Sequence, residues 1–598
     1  MISLLKKYLK GSAIACAIIA PLCMMVEVYM DLLQPTFLSQ IIDVGVANGD
    51  LHYVLTIGFK MIIVAIVGAI GGMLCSTFAA VAAMSLGERL RQGLFNKIQE
   101  LSFLEIDKLK TSSLITHLTN DITQIQQMFL MSLKIAVRAP LLAIGGIFMA
   151  VRLSTKLSTV FLISIPLIVV GIVIIIKKSL PLFTTVQSKI DNVNTVMREN
   201  ILGIRVIKSF TLEGNENKRF NEVNDDLKES SIKSQNMNMI LWPFASLIMN
   251  LSVVAILWFG GNLVNTGGLE IGKIMAFINY LTQIMFSTIM VINIMMNISR
   301  AKASADRVNK VFNTESSIVE ADNAKDINEF DIEFKNVSFR YNKNSENVLE
   351  NISFKAKEGE TIGIIGSTGC GKSSFVNLIP RLYDATKGEI LIGGVNVKDI
   401  KLSTLRENIG IVLQESILFG GTIESNIKFG NSNANEDEIN SSAEDAQAYE
   451  FIMTKDKKYQ SEVEQRGKNL SGGQKQRLSI ARTLIRNPKI LIMDDSSSAL
   501  DMATEAKLQN SIKERMSDST VIIIAQRISG VMDASFTFIK RLFSSSSLSA
   551  IRVMSSAYLR LLIFLPAILI PACVSSSPAF LMMYSAYKLN KQGDNIQP

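Results

Sequence analysis

Residues 361–374 read TIGIIGSTGCGKSS, a short apolar run that turns into a glycine loop closed by Lys372 and Ser373. A triphosphate needs several backbone N–H groups pointing inward at close range, and glycine permits both the tight turn and the approach. Gly366, Gly369 and Gly371 supply that freedom, and the backbone of Ser367, Thr368, Cys370 and Ser374 completes the cradle. In this spacing Lys372 is expected to reach the β and γ phosphates and Ser373 to hold Mg²⁺ through its hydroxyl, with a helix following. The alternative, a ligand-free glycine turn between strand and helix, does not account for the Lys-Ser ending.

The rest of the chain is too apolar for an ordinary soluble enzyme. It has 598 residues, of which 48% are hydrophobic, and a mean hydropathy of +0.29, so much of it is expected to face lipid. The net charge of +8 fits cytoplasmic loops beside anionic lipid better than a nucleic-acid partner. Cysteines at 16, 23, 75, 370 and 573 have no metal or disulfide spacing. Lys6, Lys7 and Lys10 precede an apolar stretch too long for a cleaved signal peptide and lacking a small-residue cleavage site, so that stretch reads as a retained span.

Apolar segments recur at about 12–40, 54–84, 128–151, 157–179, 238–265 and 273–298, each long enough for ~30 Å of hydrocarbon. The connectors at 85–127 and 180–237 are rich in Lys and Arg and belong in the cytoplasm, although Arg152 and Lys156 sit in a short outer loop against that trend. Both connectors are helical in pattern, with turns near Ile106–Ser113 and Gly203–Thr211 that suit contact with a soluble domain. Glu27 and Asp31 lie four apart in the first span, and Lys134 and Arg138 four apart in the third. A buried ion pair, a substrate contact or snorkelling at a span end would each fit. Trp242, Pro243 and the run Met285, Met290, Met295, Met296 suit either helix packing or an adaptable apolar pocket.

After Arg300 the chain becomes charged and helical to about Asn328, then alternates as strands from Phe334 to Phe354. In VSFRY, Tyr341 offers a ring that can stack on adenine. Lys489–Asp494, KILIMD, is a buried-strand pattern ending in the carboxylate needed beside Mg²⁺. Leu470, Ser471, Gly472, Gly473 and Gln474 spell LSGGQ at the start of a helix, a second set of N–H donors for a γ-phosphate. A cassette that already has one cradle needs that second set from another chain, so a head-to-tail dimer is expected.

With six spans, Gln414 in IVLQES, Glu464–Gly467, and Ser498–Asp501 in SALD, residues 1–534 resemble a half-transporter of the ATP-binding cassette (ABC) exporter family. The resemblance implies a multidomain membrane protein in which a six-helix all-α transmembrane domain precedes an α/β P-loop nucleotide-binding domain. The boundaries read as 1–300 for the membrane domain, 301–330 for a linker, 331–534 for the cassette and 535–598 for a tail. It also implies ATP and Mg²⁺ as cofactors, with Tyr341 on adenine, Ser373, Gln414 and Asp494 at the metal, Asp501 at the dimer seam, and the two cytoplasmic turns as coupling helices. The cassette would be cytoplasmic, and the partners would be membrane lipid, a second half-transporter and a drug, lipid or peptide substrate, with no nucleic acid.

Three departures stand out. The family places Glu after the aspartate where this chain has Asp495, and His where it has Gln526. A general base must lie within ~2.6–3.2 Å of its water, so a side chain shorter by roughly 1.5 Å forfeits much of a ~10²–10⁴-fold contribution. The only histidines, His52 and His117, lie outside the cassette. Asp495 and Gln526 as catalytic positions beside an intact LSGGQ resemble the degenerate-site subunit of a heterodimeric exporter, serving a partner's active site in trans. A slow homodimer and a catalytically silent ATP-binding regulator are the alternatives. Third, residues 535–598 lack the family pattern and resemble translated retroelement repeats, which implies a chimeric chain whose sheet is left with an unpaired edge. A seventh span at Leu561–Val574 competes with that reading, though it is short and contains Pro566 and Pro571.

Overall fold

The structure, a computed structural model, describes residues 2–367, 369–525, 536–539 and 552–555. Thr368, Gln526, Cys573 and the stretch 561–574 lie outside the described residues, as do the side chains of Met295 and Met296. The chain divides into two compact units, Met1–Glu100 with Leu109–Thr314, and Leu101–Lys108 with Glu315–Pro598.

The first unit is helical, with long helices α1 (Ser12–Gln40), α2 (Leu51–Glu100), α3 (Ile122–Leu153), α4 (Thr155–Leu202), α5 (Leu241–Asn265) and α6 (Ile271–Phe312). Among the described residues, six segments are long and apolar enough to cross a membrane, as the hydropathy pattern predicts; the fifth runs Glu213–Asn265 and includes α5. The 50 residues of α2 and the 48 of α4, at ~1.5 Å each, far exceed ~30 Å of hydrocarbon. Their surplus carries the connector charges, so these helices continue into the cytoplasm. The charged helix beyond Arg300 ends at Phe312, short of the predicted Asn328, and an irregular stretch leads into the cassette.

Close packing of α1 on α2 follows from small residues one turn apart on α2, Gly68, Gly71, Cys75, Ala79 and Ala82, all buried. A Cβ at Gly71 would stand 3.1 Å from the carbonyl oxygen of Cys23. Of the readings open for the span charges, the ion pair is the one formed. Arg138 Nη1 donates to Glu27, and Nη2 donates to Asp31 Oδ2 at 2.9 Å. One guanidinium thus ties α3 to α1 through two carboxylates. Arg138→Met should lower the unfolding midpoint by several degrees, since orphaning two half-buried carboxylates costs part of the ~3–5 kcal/mol that fully buried ones would. The triple variant Glu27→Gln, Asp31→Asn, Arg138→Met should recover part of the loss in a thermal melt; a triple no better than the single would remove the ion pair from the account.

A second polar cluster holds the cytoplasmic part of this unit. Buried Asp121 accepts from His117 Nδ1 at 2.7 Å and from Arg307 Nε at 3.0 Å. His117 and Asp121 flank a π-helical turn, and Arg307 belongs to α6. Nothing in the sequence periodicity joins residues so far apart.

In the second unit, β1 (Ile332–Phe339), β2 (Leu349–Ala356), β3 (Thr361–Ile365), β4 (Lys387–Ile392) and β5 (Val395–Asn396) are followed by β6 (Ile409–Val412), a small hairpin of β7 (Gly421–Thr422) and β8 (Glu462–Val463), then β9 (Ile490–Asp494), β10 (Thr520–Ala525), β11 (Phe536–Ile539) and β12 (Arg552–Ser555). One sheet is antiparallel, in the order β2-β1-β4-β5, and the other runs β12-β11-β3-β10-β9-β6. Strands β3, β10, β9 and β6 are mutually parallel, and their unbroken apolar runs are the signature of strands covered on both faces. One core lies around the two sheets and a second among the helices of residues 423–516.

The edge of β3 expected to be open is paired. Phe536–Ile539 runs parallel to Ile362–Ile365, and β12 adds antiparallel to it. The expectation of an unpaired edge is therefore corrected: an alternating apolar pentad in the tail, SFTFI, is enough to continue a sheet whose neighbouring strand offers free N–H and C=O groups.

Candidate functional site

Parallel register decides what meets what. Ile524 stands opposite both Ile364 and Asp494, and Val412 opposite Met493. The chain therefore leaves β3 into the glycine loop, β6 toward Gln414, β9 at Asp494–Asp495 and β10 at Ala525 along one carboxyl edge, the edge where open α/β sheets bind ligands.

In the loop, Gly369 and Gly371 have φ of 82° and 91°. A Cβ at Gly371 would lie 3.0 Å from Leu349 and 3.1 Å from Val348, so glycine is required there by both conformation and space. The helix α7 (Lys372–Asn377) begins immediately after. Lys372 Nζ folds into the loop, donating to the carbonyls of Gly366 at 2.7 Å and Ser367 at 3.0 Å. Cys370 is buried in the same turn.

Asp494 and Asp495 are both buried at the end of β9. Burial pushes the Asp494 carboxyl up, the charge of Asp495 adds to this, and the Ser373 hydroxyl and Lys372 oppose it. Two adjacent carboxylates, a serine hydroxyl and an amide oxygen form a hard-oxygen donor set of the kind that suits Mg²⁺, and a divalent cation would relieve the repulsion between the acids. Asp495 adopts φ 49°, and its Oδ2 accepts from Gln414 Nε2 at 3.2 Å.

Tyr341 is fixed at the lip of the cradle, its hydroxyl bonded to Ser374 Oγ at 2.8 Å. Its ring meets Tyr383 edge-on, centroids 5.3 Å apart, beside a cleft of about 380 Å³ that Arg340 and Thr386 also line. Sequence reasoning missed Tyr383. Burial first, and then the bond its hydroxyl donates to Asp107 Oδ2 at 3.0 Å, push its phenol well above the ordinary range. The partner segment Leu101–Lys108 is thus part of the cassette's own compact unit. Glu105 anchors it as well, accepting from the backbone N–H of Ser317 at 3.2 Å.

The LSGGQ stretch lies in the helical part of the cassette. Leu470 enters the second core, and Ser471 caps α8 (Gly472–Leu484), exchanging hydrogen bonds with Gln474 in a capping box. The first N–H groups of such a helix have no intrahelical acceptor, and Ser471 and Gly472 are solvent-exposed. Among the described residues, no hydrogen bond joins 470–474 to 366–374. Gln476, another residue the motifs did not single out, links α8 to the SALD stretch: it donates to Ser498 Oγ at 3.2 Å and accepts from Ala499 N at 3.0 Å. Asp501 caps α9 (Met502–Arg515), and the Thr504 backbone N–H and hydroxyl hold its carboxyl below the usual range.

Residues 17–288 match the model of the ABC transporter transmembrane region, and residues 349–498 that of the ABC transporter domain. The uncharacterized ABC transporter ATP-binding protein YfiB of Bacillus subtilis is 42% identical over 516 residues, covering 86% of this chain and 90% of that protein. The chain belongs to the ABC transporter family. An ABC relative from Syntrophus aciditrophicus, named an ATP-dependent lipid A-core flippase, is 32% identical over 466 residues, 77% of each chain. In fold the transporter matches a bacterial Atm1-family ABC exporter solved with ATP bound, with a TM-score of 0.75 over 92% of this chain and 96% of the other at 24% identity. It is a multi-pass membrane protein with a cytoplasmic nucleotide-binding domain, and its ABC domain is of the kind that drives transport with ATP.

Proposed function

We propose that this chain is one half of a heterodimeric ABC exporter, binding ATP in a cradle of its own that turns over poorly and completing its partner's competent site with LSGGQ. Asp495 carries the reading. Its short side chain is buried and held by Gln414, and in this scheme it stands in for the longer glutamate of a working general base. In this scheme Tyr341 stacks on adenine, the 366–374 backbone and Lys372 hold the phosphates, and Ser373, Gln414 and Asp494 hold Mg²⁺. The metal, when bound, would neutralise charge on the β and γ phosphates.

The N–H groups of Gly472 and Gly473, which open α8 and have no intrahelical acceptor, then serve a phosphate presented by the second chain. Closure of the two cassettes around ATP, and reopening after hydrolysis, would switch the membrane halves between inward and outward access. The segment Leu101–Lys108, held by Tyr383 and Ser317, would transmit that motion. The likeness to a lipid A-core flippase favours an amphipathic lipid as substrate, ahead of a drug or peptide.

The test is restoration. Full-length protein carrying Asp495→Glu with Gln526→His should hydrolyse ATP about tenfold faster than the parent, and each single change should do less, because a base and a neighbouring phosphate contact act as a unit. A correctly folded double variant no faster than the parent would place the weakness elsewhere.

A further inference from the structure

The outer cation that runs against the charge asymmetry has a structural setting. Between α4 and α5, toward their outer ends, lies a groove of about 670 Å³ walled by Leu157, Ile163, Leu167, Leu251 and Phe259. Lys156 lines its outer end, and no carboxylate pairs with it among the described residues. Arg152, just before the same short outer turn, stacks on the Phe148 ring at 5.0 Å.

Dimension and charge together specify an occupant. Leu167 follows Lys156 by 11 residues, about 17 Å along a helix, which matches one leaflet of a ~30 Å hydrocarbon layer. A lysine at the interface end of such a channel pairs with an anionic head group. We infer that this groove binds one acyl chain of an anionic outer-leaflet phospholipid, with Lys156 on its phosphate.

Native mass spectrometry of the full-length protein, titrated with dioleoyl phosphatidylglycerol, dioleoyl phosphatidylcholine or oleate, tests it. Phosphatidylglycerol should be retained saturably at one site per protomer, about tenfold more tightly than phosphatidylcholine. Lys156→Gln should erase that preference, Lys156→Arg should keep it, and Ala255→Trp, which fills the groove, should remove retention. Each variant is first shown to melt and elute as the parent does. Equal binding of the two phospholipids to the parent, or undiminished retention in Ala255→Trp, would overturn the inference. Oleate bound as tightly as phosphatidylglycerol would overturn the phospholipid assignment. A change of oligomeric state in Ala255→Trp with lipid retention intact would show that a second copy covers this face instead.

Discussion

Lys372→Ala should reduce ATP binding by this chain at least a hundredfold while leaving the fold intact. The ammonium already sits inside the glycine loop, and among the described residues truncation removes its bonds to the carbonyls of Gly366 and Ser367, a long contact to Cys370 Sγ and its charge beside Asp494. In the complex it would face two phosphates, and charge-assisted bonds are worth ~1.5–3 kcal/mol each. Even one and a half such bonds correspond to roughly a hundredfold in binding. Lys372→Arg should fall between parent and alanine, since a planar fork cannot reproduce a compact ammonium in so tight a turn. Photolabelling of the full-length protein with an azido-ATP reads this directly. Unchanged labelling in Lys372→Ala would detach the loop from the nucleotide.

Gly473→Asp should abolish hydrolysis by the assembled heterodimer, by at least a hundredfold, yet leave nucleotide labelling of this chain's own loop near the parental level. A Cβ at Gly473 would lie 3.0 Å from the Ala499 carbonyl oxygen, so any side chain there presses on the SALD stretch that Gln476 holds against α8. The carboxylate would also set a negative charge beside an incoming phosphate, and a loss of ~2.7 kcal/mol in the transition state is already a hundredfold in rate. Ser471→Ala should cost less, because Gln474 and the remaining N–H groups survive. The split between lost turnover and kept labelling is what a trans role demands. Loss of both together would mean that the substitution damaged its own cassette.

Most of the site was legible because its parts are local. The glycine loop, KILIMD and LSGGQ each announce a backbone geometry within a few residues, and the apolar runs of β3, β9 and β10 show strands buried on both faces. Their convergence follows from parallel register alone. What escaped is long-range. Arg138 could be placed on a helix face but not assigned to Glu27 and Asp31. Tyr383 and Asp107, 276 residues apart, share no periodicity, and neither do Asp121 and Arg307. Gln476 was hidden by its ordinary position within a helix. The pairing of β11 escaped for another reason: a strand needs only a short alternating segment and a free edge, and neither requires a family motif.

The most direct measurement is steady-state ATP turnover by the purified full-length chain, alone and assembled with a half-transporter that has Glu and His in place of Asp495 and Gln526. The account predicts slow turnover alone and an increase of at least about a hundredfold on assembly, abolished by Gly473→Asp in this chain but only modestly reduced by Lys372→Ala. Rapid turnover by the chain alone, sensitive to Lys372→Ala, would contradict it and establish a homodimeric exporter with two working sites.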